Sequence, residues 1–277
     1  MLKGILVGLD GSEYGPIATM LAIEWAKLTN AAVVGIGIID RPGITAPAPS
    51  PMVSGTVKQE RDTTLLEDAE RLTSQFLEQF SLTCTAAGVS SKVLQESGSP
   101  DQEIVEESQR YDVVILGRRT FFKFETQEGA DDTLKTVVKV CPRPVVVVPE
   151  KLPKGKNIVV AYDGSAQSAR ALQLFVLSGI PTKGQIHVVS IDSDKIAAAK
   201  TADRAVQYLR LHGLEATPHR PDPAGTNATV LLDHVKKLDA GLLVMGAYGD
   251  AAWKSLVFGS TTRSLMCESP VPLFISH

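Results

Sequence analysis

No stretch of about 18 consecutive apolar residues occurs, so the sequence offers no candidate membrane-spanning helix. The apolar start, Met1 to Leu9, is too short for a signal peptide and is broken by Asp10. Cysteine is scarce. Cys84, Cys141 and Cys267 are odd in number and far apart, and no C-x-x-C occurs, which argues against a zinc knuckle or a redox dithiol. Free thiols in a reducing, cytoplasmic setting are the expectation. Basic excess is also lacking. The net charge of -3 argues against a dedicated nucleic-acid binder, which needs a basic face. The one basic cluster, Lys151, Lys154 and Lys156, contains Pro153 and Gly155 and reads as a solvated linker. The histidines, His187, His212, His219, His234 and His277, are scattered with no metal-ligand spacing, and His187 reads as a packed strand residue. A Walker A loop and a G-x-S-x-G elbow are both missing, which excludes an ordinary P-loop ATPase and argues against an α/β-hydrolase.

What is present is a chain that repeats itself. Its 277 residues, 44% apolar and 21% charged, suit two soluble globular domains. Ile5-Leu6-Val7-Gly8-Leu9-Asp10-Gly11-Ser12 returns as Ile158-Val159-Val160-Ala161-Tyr162-Asp163-Gly164-Ser165. An unbroken apolar run fits a strand buried on both faces, Asp-Gly is a turn signal, and the serine can start the next helix. Helical spacing follows at Ala18, Leu21, Ala22, Trp25 and Leu28, then a strand from Ala32 to Ile39, matched by Ile186 to Ile191. Second helices carry Leu65, Ala69, Leu72, Phe76 and Phe80 in one half, and Ala202, Ala205, Val206 and Leu209 in the other. Val113 to Gly117 matches Leu242 to Gly246, and Val145 to Val148 and Leu273 to Ile275 are the last strands.

Each half therefore reads as five strands alternating with four helices, the signature of a parallel sheet covered on both faces. The predicted boundaries are 1–150 and 151–277. One asymmetry stands out: 58 residues separate Asp40 from Gly98, against 33 between Asp192 and Gly225. Much of the excess is a loop from Arg41 to Thr56 containing Pro42, Pro47, Pro49 and Pro51. It leaves the strand end where open α/β sheets bind ligands; a functional loop and a silent insertion are both consistent with it.

The chemistry-bearing motif lies in the second half. Gly246-Ala247-Tyr248-Gly249 is followed, after nine residues, by Gly259-Ser260-Thr261-Thr262, a G-x2-G-x9-G-S pattern. A strand should end at Met245 and a helix begin near Ser260. Glycines permit close approach of backbone to phosphate, and a helix N-terminus offers unpaired N–H groups and partial positive charge. Tight packing at a strand-to-helix turn is the alternative reason for the glycines.

With the two Asp-Gly-Ser openings, the His187-Val188 strand and this loop, nearly the whole chain resembles a tandem universal stress protein. The resemblance implies an α/β fold of two tandem, doubly wound, five-stranded parallel sheets of order 3-2-1-4-5, packed as a pseudo-dimer through their last strands, with chain dimerisation left open. It also implies ATP or a related adenine nucleotide as ligand, with magnesium accompanying the triphosphate. Mapped onto this sequence, Ala161, Tyr162 and Asp163 would lie near adenine and ribose. Val188 would offer backbone groups to the adenine edge. Met245, Gly246 and Gly249 would flank ribose and phosphates, and Gly259, Ser260 and Thr261 would hold the phosphate chain.

The first half departs from the pattern. Thr120 replaces the second glycine, and aligning Pro142 and Pro144 with Pro270 and Pro272 puts Asp131-Asp132 opposite Gly259-Ser260. Carboxylates there would repel phosphate, so nucleotide binding in the family manner is expected only in the second half, with Arg118 and Arg119 pairing the two aspartates or, as the alternative, forming a different anion site. No residue reads as catalytic or metal-binding. The expectation is a nucleotide-binding regulatory protein; a slow ATPase and a scaffold with vestigial sites are the alternatives. The Ser-Gly-Gly-x-Asp-Ser loop of ATP pyrophosphatases is absent.

Overall fold

The computed structural model describes residues 1–46, 55–123, 131–247 and 259–277. In the first half, β1 (Gly4–Gly8), α1 (Tyr14–Thr29), β2 (Ala32–Ile39), the single turn α2 (Arg41–Ile44) and α3 (Gly55–Ala86) come first. They are followed by β3 (Ser91–Ser97), α4 (Pro100–Ser108), β4 (Val113–Gly117), α5 (Thr133–Val140) and β5 (Val145–Val148). The second half repeats the order with β6 (Asn157–Ala161), α6 (Ala166–Ser178), β7 (Ile186–Val189), α7 (Lys195–Leu211) and β8 (Ala216–His219). It closes with α8 (Asn227–Lys237), β9 (Ala240–Gly246), α9 (Ser260–Glu268) and β10 (Leu273–Ser276).

The strands form one sheet of ten, in the order β3-β2-β1-β4-β5-β10-β9-β6-β7-β8. Each half keeps the expected 3-2-1-4-5 order. The expectation of two sheets is corrected in one respect: they merge along a single antiparallel seam, Val145 to Val147 of β5 against Leu273 to Ile275 of β10. β5 is four valines, all buried. Left as an edge, it would present unpaired backbone groups and an apolar surface, and β10 removes both.

Helices cover both faces. α1, α3, α6 and α7 enclose one apolar cluster, and α4, α5, α8 and α9 enclose the other. The two Asp-Gly-Ser turns are built alike. Gly11 and Gly164 take positive φ of 74° and 80°, which a side chain would strain. Asp10 and Asp163 each accept a 3.0 Å hydrogen bond from the serine N–H two residues on.

Three expectations change. Leu28 ends α1 exposed rather than in the core. The extra length of the first half is mostly helix, since α3 spans 32 residues against 17 for α7. Its first turns, Thr56 to Thr64, are polar apart from an exposed Val57, so apolar periodicity could not mark them. Of the anticipated loop, Arg41–Ile44 forms a turn of helix, and Pro47, Pro49 and Pro51 lie outside the described residues. Finally, Arg118 does not pair with Asp131 or Asp132. It reaches across the seam, donating to the Cys267 carbonyl at 2.7 Å and pairing with Glu150 at 3.5 Å. A cation at the last turn of α9 also complements that helix's dipole.

Candidate nucleotide site

At the carboxyl ends of β6, β7 and β9, three helix N-termini converge on a cleft of about 310 Å³. α6 contributes Ser165 and Ser168, α8 contributes Asn227, and α9 contributes Ser260, Thr261 and Thr262, with Gly259 as its N-cap. The rest of the lining is Ala161, Tyr162, Asp163, Val189, Ile191, Leu231, Met245 and Gly246. The volume lies at the lower end of the range for small-molecule sites.

One wall is apolar. Val189, Ile191, Leu231 and Met245 suit a flat ring. The opposite end is polar and built from helix starts. Among the described residues, no side chain caps the N-terminus of α9 by hydrogen bond. The first amides of a helix lack intrahelical partners and favour an anion. Among the described residues no lysine or arginine lines the cleft, so within them an anion would depend on amides, hydroxyls and dipoles.

The glycines play different parts. A Cβ on Gly246 would meet the backbone carbon of Gln167 at 2.5 Å and the Ser168 nitrogen at 2.6 Å. Glycine is needed there so that β9 can pack against the first turn of α6. Gly259 has φ of -57°, which any residue can adopt, and no atom of the described residues lies within 4 Å of where its Cβ would stand. Packing therefore accounts for Gly246 and leaves Gly259 unexplained within the described chain.

Asp163 is exposed at the cleft mouth. Burial of its surroundings raises its carboxyl, but hydrogen bonds from Ser165 and Ser168 outweigh this and hold it below the ordinary carboxylate value. Ser165 also caps α6, accepting from the Ser168 N–H at 3.2 Å. Tyr162 lines the cleft while packing against the apolar cluster of the opposite face.

Of the residues anticipated from sequence, Ala161, Tyr162, Asp163, Met245, Gly246, Gly259, Ser260 and Thr261 are brought together. Val188 is not among the lining residues. It is buried on the other face of β7, in register with Val160, and its neighbour Val189 lines the cleft instead. Strand alternation decides which side chain faces the cleft; the expectation for Val188 concerned its backbone groups, on which side-chain alternation does not bear. Gly249 lies outside the described residues. Ser165, Ser168, Ile191, Asn227, Leu231 and Thr262 were missed. Of these, Asn227 had a signal, as the first residue of a helix whose N-cap, Thr226, accepts from the Thr229 N–H.

The strands also bring together histidines that sequence spacing kept apart. Nδ1 of His187 lies 3.0 Å from Nε2 of His219. Burial lowers the basicity of both. His187 is buried, as a packed strand residue should be. Among the described residues no three histidine, cysteine or acidic side chains group as a metal site.

The universal stress protein family model matches residues 1–149 and 224–277. The chain belongs to that family. It is 26% identical over 168 residues to universal stress protein Slr1230 of Synechocystis, an alignment covering 59% of this chain and 57% of that protein. Against universal stress protein Rv2319c of Mycobacterium tuberculosis it is 36% identical over 86 residues, 30% of this chain and 29% of the other. The chain thus aligns with between about a third and just over half the length of these curated relatives. A universal stress protein from Archaeoglobus fulgidus shares the fold over 99% of this chain and 97% of its own, with a TM-score of 0.70 and 22% identity. Among the described residues, no helix is long and apolar enough to cross a membrane.

Proposed function

We propose that this protein binds ATP or a related adenine nucleotide through its second half and acts as a regulatory, stress-response component rather than as a catalyst. In this reading residues 1–150 and 151–277 are two domains of one ancestry, paired across the β5–β10 seam. The three thiols fit a reducing, cytoplasmic setting. One observation carries the reading: three helix N-termini meet an apolar wall in a single cleft, with α9 uncapped by any described side chain. The purine would lie against Val189, Ile191, Leu231 and Met245. The phosphates would accept from the amides of Ser260, Thr261 and Thr262. Magnesium, a hard cation that prefers oxygen, would be held chiefly by the phosphates themselves.

Turnover finds less support. Among the described residues Asp163 is the only carboxylate lining the cleft, and its depressed carboxyl makes it a poor general base.

Gly259→Asp tests the site. A carboxylate about 4 Å from a phosphate charge opposes binding by about 4 kcal/mol at an effective dielectric near 20, or roughly three orders of magnitude in affinity. Calorimetric titration of wild type and variant with magnesium-ATP measures this. Equal affinities would place the phosphates elsewhere.

A further inference from the structure

The first half contains the same cleft, but it is filled. β1 and β6 align through their Asp-Gly-Ser turns, so Gly8 stands where the second half has Ala161. By strand register and helix start, Ile36, Ile38, Ile104 and Leu116 stand where Val189, Ile191, Leu231 and Met245 form the apolar wall. Phe122 is only 1% exposed and shares one apolar cluster with these four residues. A Cβ on Gly8 would come within 3.0 Å of the Phe122 ring and 2.4 Å of Leu116, so glycine at the strand end leaves room for both side chains. Ala161 has no such ring above it among the described residues.

The ring is tied down on both sides. The Phe121 N–H donates to Asp10 Oδ2 at 2.7 Å, and Lys123 Nζ pairs with Asp132 Oδ1 at 2.6 Å. At the other end of the cleft, the N-cap of α5, Asp132, makes no side-chain cap, but the residue before it engages the first helix amide. Asp131 Oδ1 accepts from the Thr133 N–H at 2.8 Å. Counting from helix starts, Asp132 matches Gly259 and Thr133 matches Ser260, one residue later than the proline alignment suggested.

We propose that the first half is a nucleotide-type cleft occupied by the chain itself, with the Phe122 ring in the base-binding end and the Asp131 carboxylate on the first helix amide at the phosphate end. The first half thereby behaves as a permanently liganded partner, and the protein takes up ligand in the second half alone. This rests on the second-half site in its geometry but is tested separately from it. Truncating Phe122 should leave an apolar hole that a flat neutral ring can enter, as dry engineered cavities do.

The probe is indole, a neutral bicycle of purine size, titrated by calorimetry into wild type and Phe122→Ala, with circular dichroism confirming that the variant folds. The variant is expected to bind one more indole per chain than wild type, whether wild type binds one or none. An unchanged stoichiometry in the folded variant overturns the proposal without bearing on ATP binding in the second half. Wild type taking two ATP per chain also overturns it. Should the variant fail to fold, hydrogen exchange in wild type decides: the Phe121 amide is expected to be protected as strongly as the amides of β4, and exchange at the rate of a solvated loop refutes the tie.

Discussion

Asp10 and Asp163 occupy matching turns with the same serine contact, yet their carboxyls are displaced in opposite directions. Asp10 is buried beneath the Phe121–Phe122 segment, and desolvation raises it despite hydrogen bonds from Ser12 and Phe121. Asp163 faces an open cleft, where hydrogen bonding prevails over burial and lowers it. The linked effects on stability have opposite signs. The Asp10 contribution is complete below its unfolded value and is lost as pH rises through the raised folded value. The Asp163 contribution is present above its unfolded value and is lost as pH falls through the lowered one. Carboxyl titration by NMR should find Asp10 above and Asp163 below the ordinary value; coincident midpoints would contradict the filled and open clefts. At the same scale, Gly246→Ala forces a methyl against the Gln167–Ser168 backbone. Such overpacking costs about 1–3 kcal/mol, readable as a shift in the denaturation midpoint at unchanged m-value.

The decisive element is α9, nine residues held at opposite ends by different halves. Its last turn is bound by Arg118 from the first half, while its first turn opens on the cleft. Gly259→Asp therefore has a second expected outcome beside the lost affinity. Aspartate is a favoured N-cap, worth a few tenths of a kcal/mol over glycine. The variant should thus be as stable as wild type, or slightly more so, while binding ATP far more weakly. A large drop in melting temperature would mean that Gly259 serves the fold. In α5 the Asp131 carboxylate accepts from one amide, that of Thr133, which matches Ser260.

Across the whole molecule, the seam between β5 and β10 turns two five-stranded sheets into one of ten and leaves only β3 and β8 as edges. β8 carries Pro218, which cannot donate to a further strand, and β3 carries Lys92 and Glu96. β5 has no such protection, because β10 covers it. Residues 1–150 alone would expose Val145–Val148, and the fragment is expected to self-associate, as seen by sedimentation velocity. A monomeric, folded fragment would show that the seam is dispensable. Further ties cross between the halves: Lys183 with Glu24 at 2.8 Å, and the Met1 amine on the Leu177 carbonyl at 3.1 Å. Both are exposed, and exposed ion pairs contribute little.

The strand order within each half came only with the family resemblance, whereas the repeat and the α/β class were legible in the sequence because buried parallel strands and Asp-Gly-Ser turns leave local marks that need no partner to be read. The glycine and hydroxyl loop pointed to the same end of the same sheet for that reason. What the tertiary structure alone decided concerns groups brought together from afar: the merging of the sheets, the face taken by Val189 rather than Val188, the pairing of His187 with His219, and the seating of Phe122 over Gly8. Each depends on which surfaces meet once the strands are side by side, and hydrophobic burial is non-directional, so a buried phenylalanine looks the same in a sequence whether it fills a core or occupies a binding site.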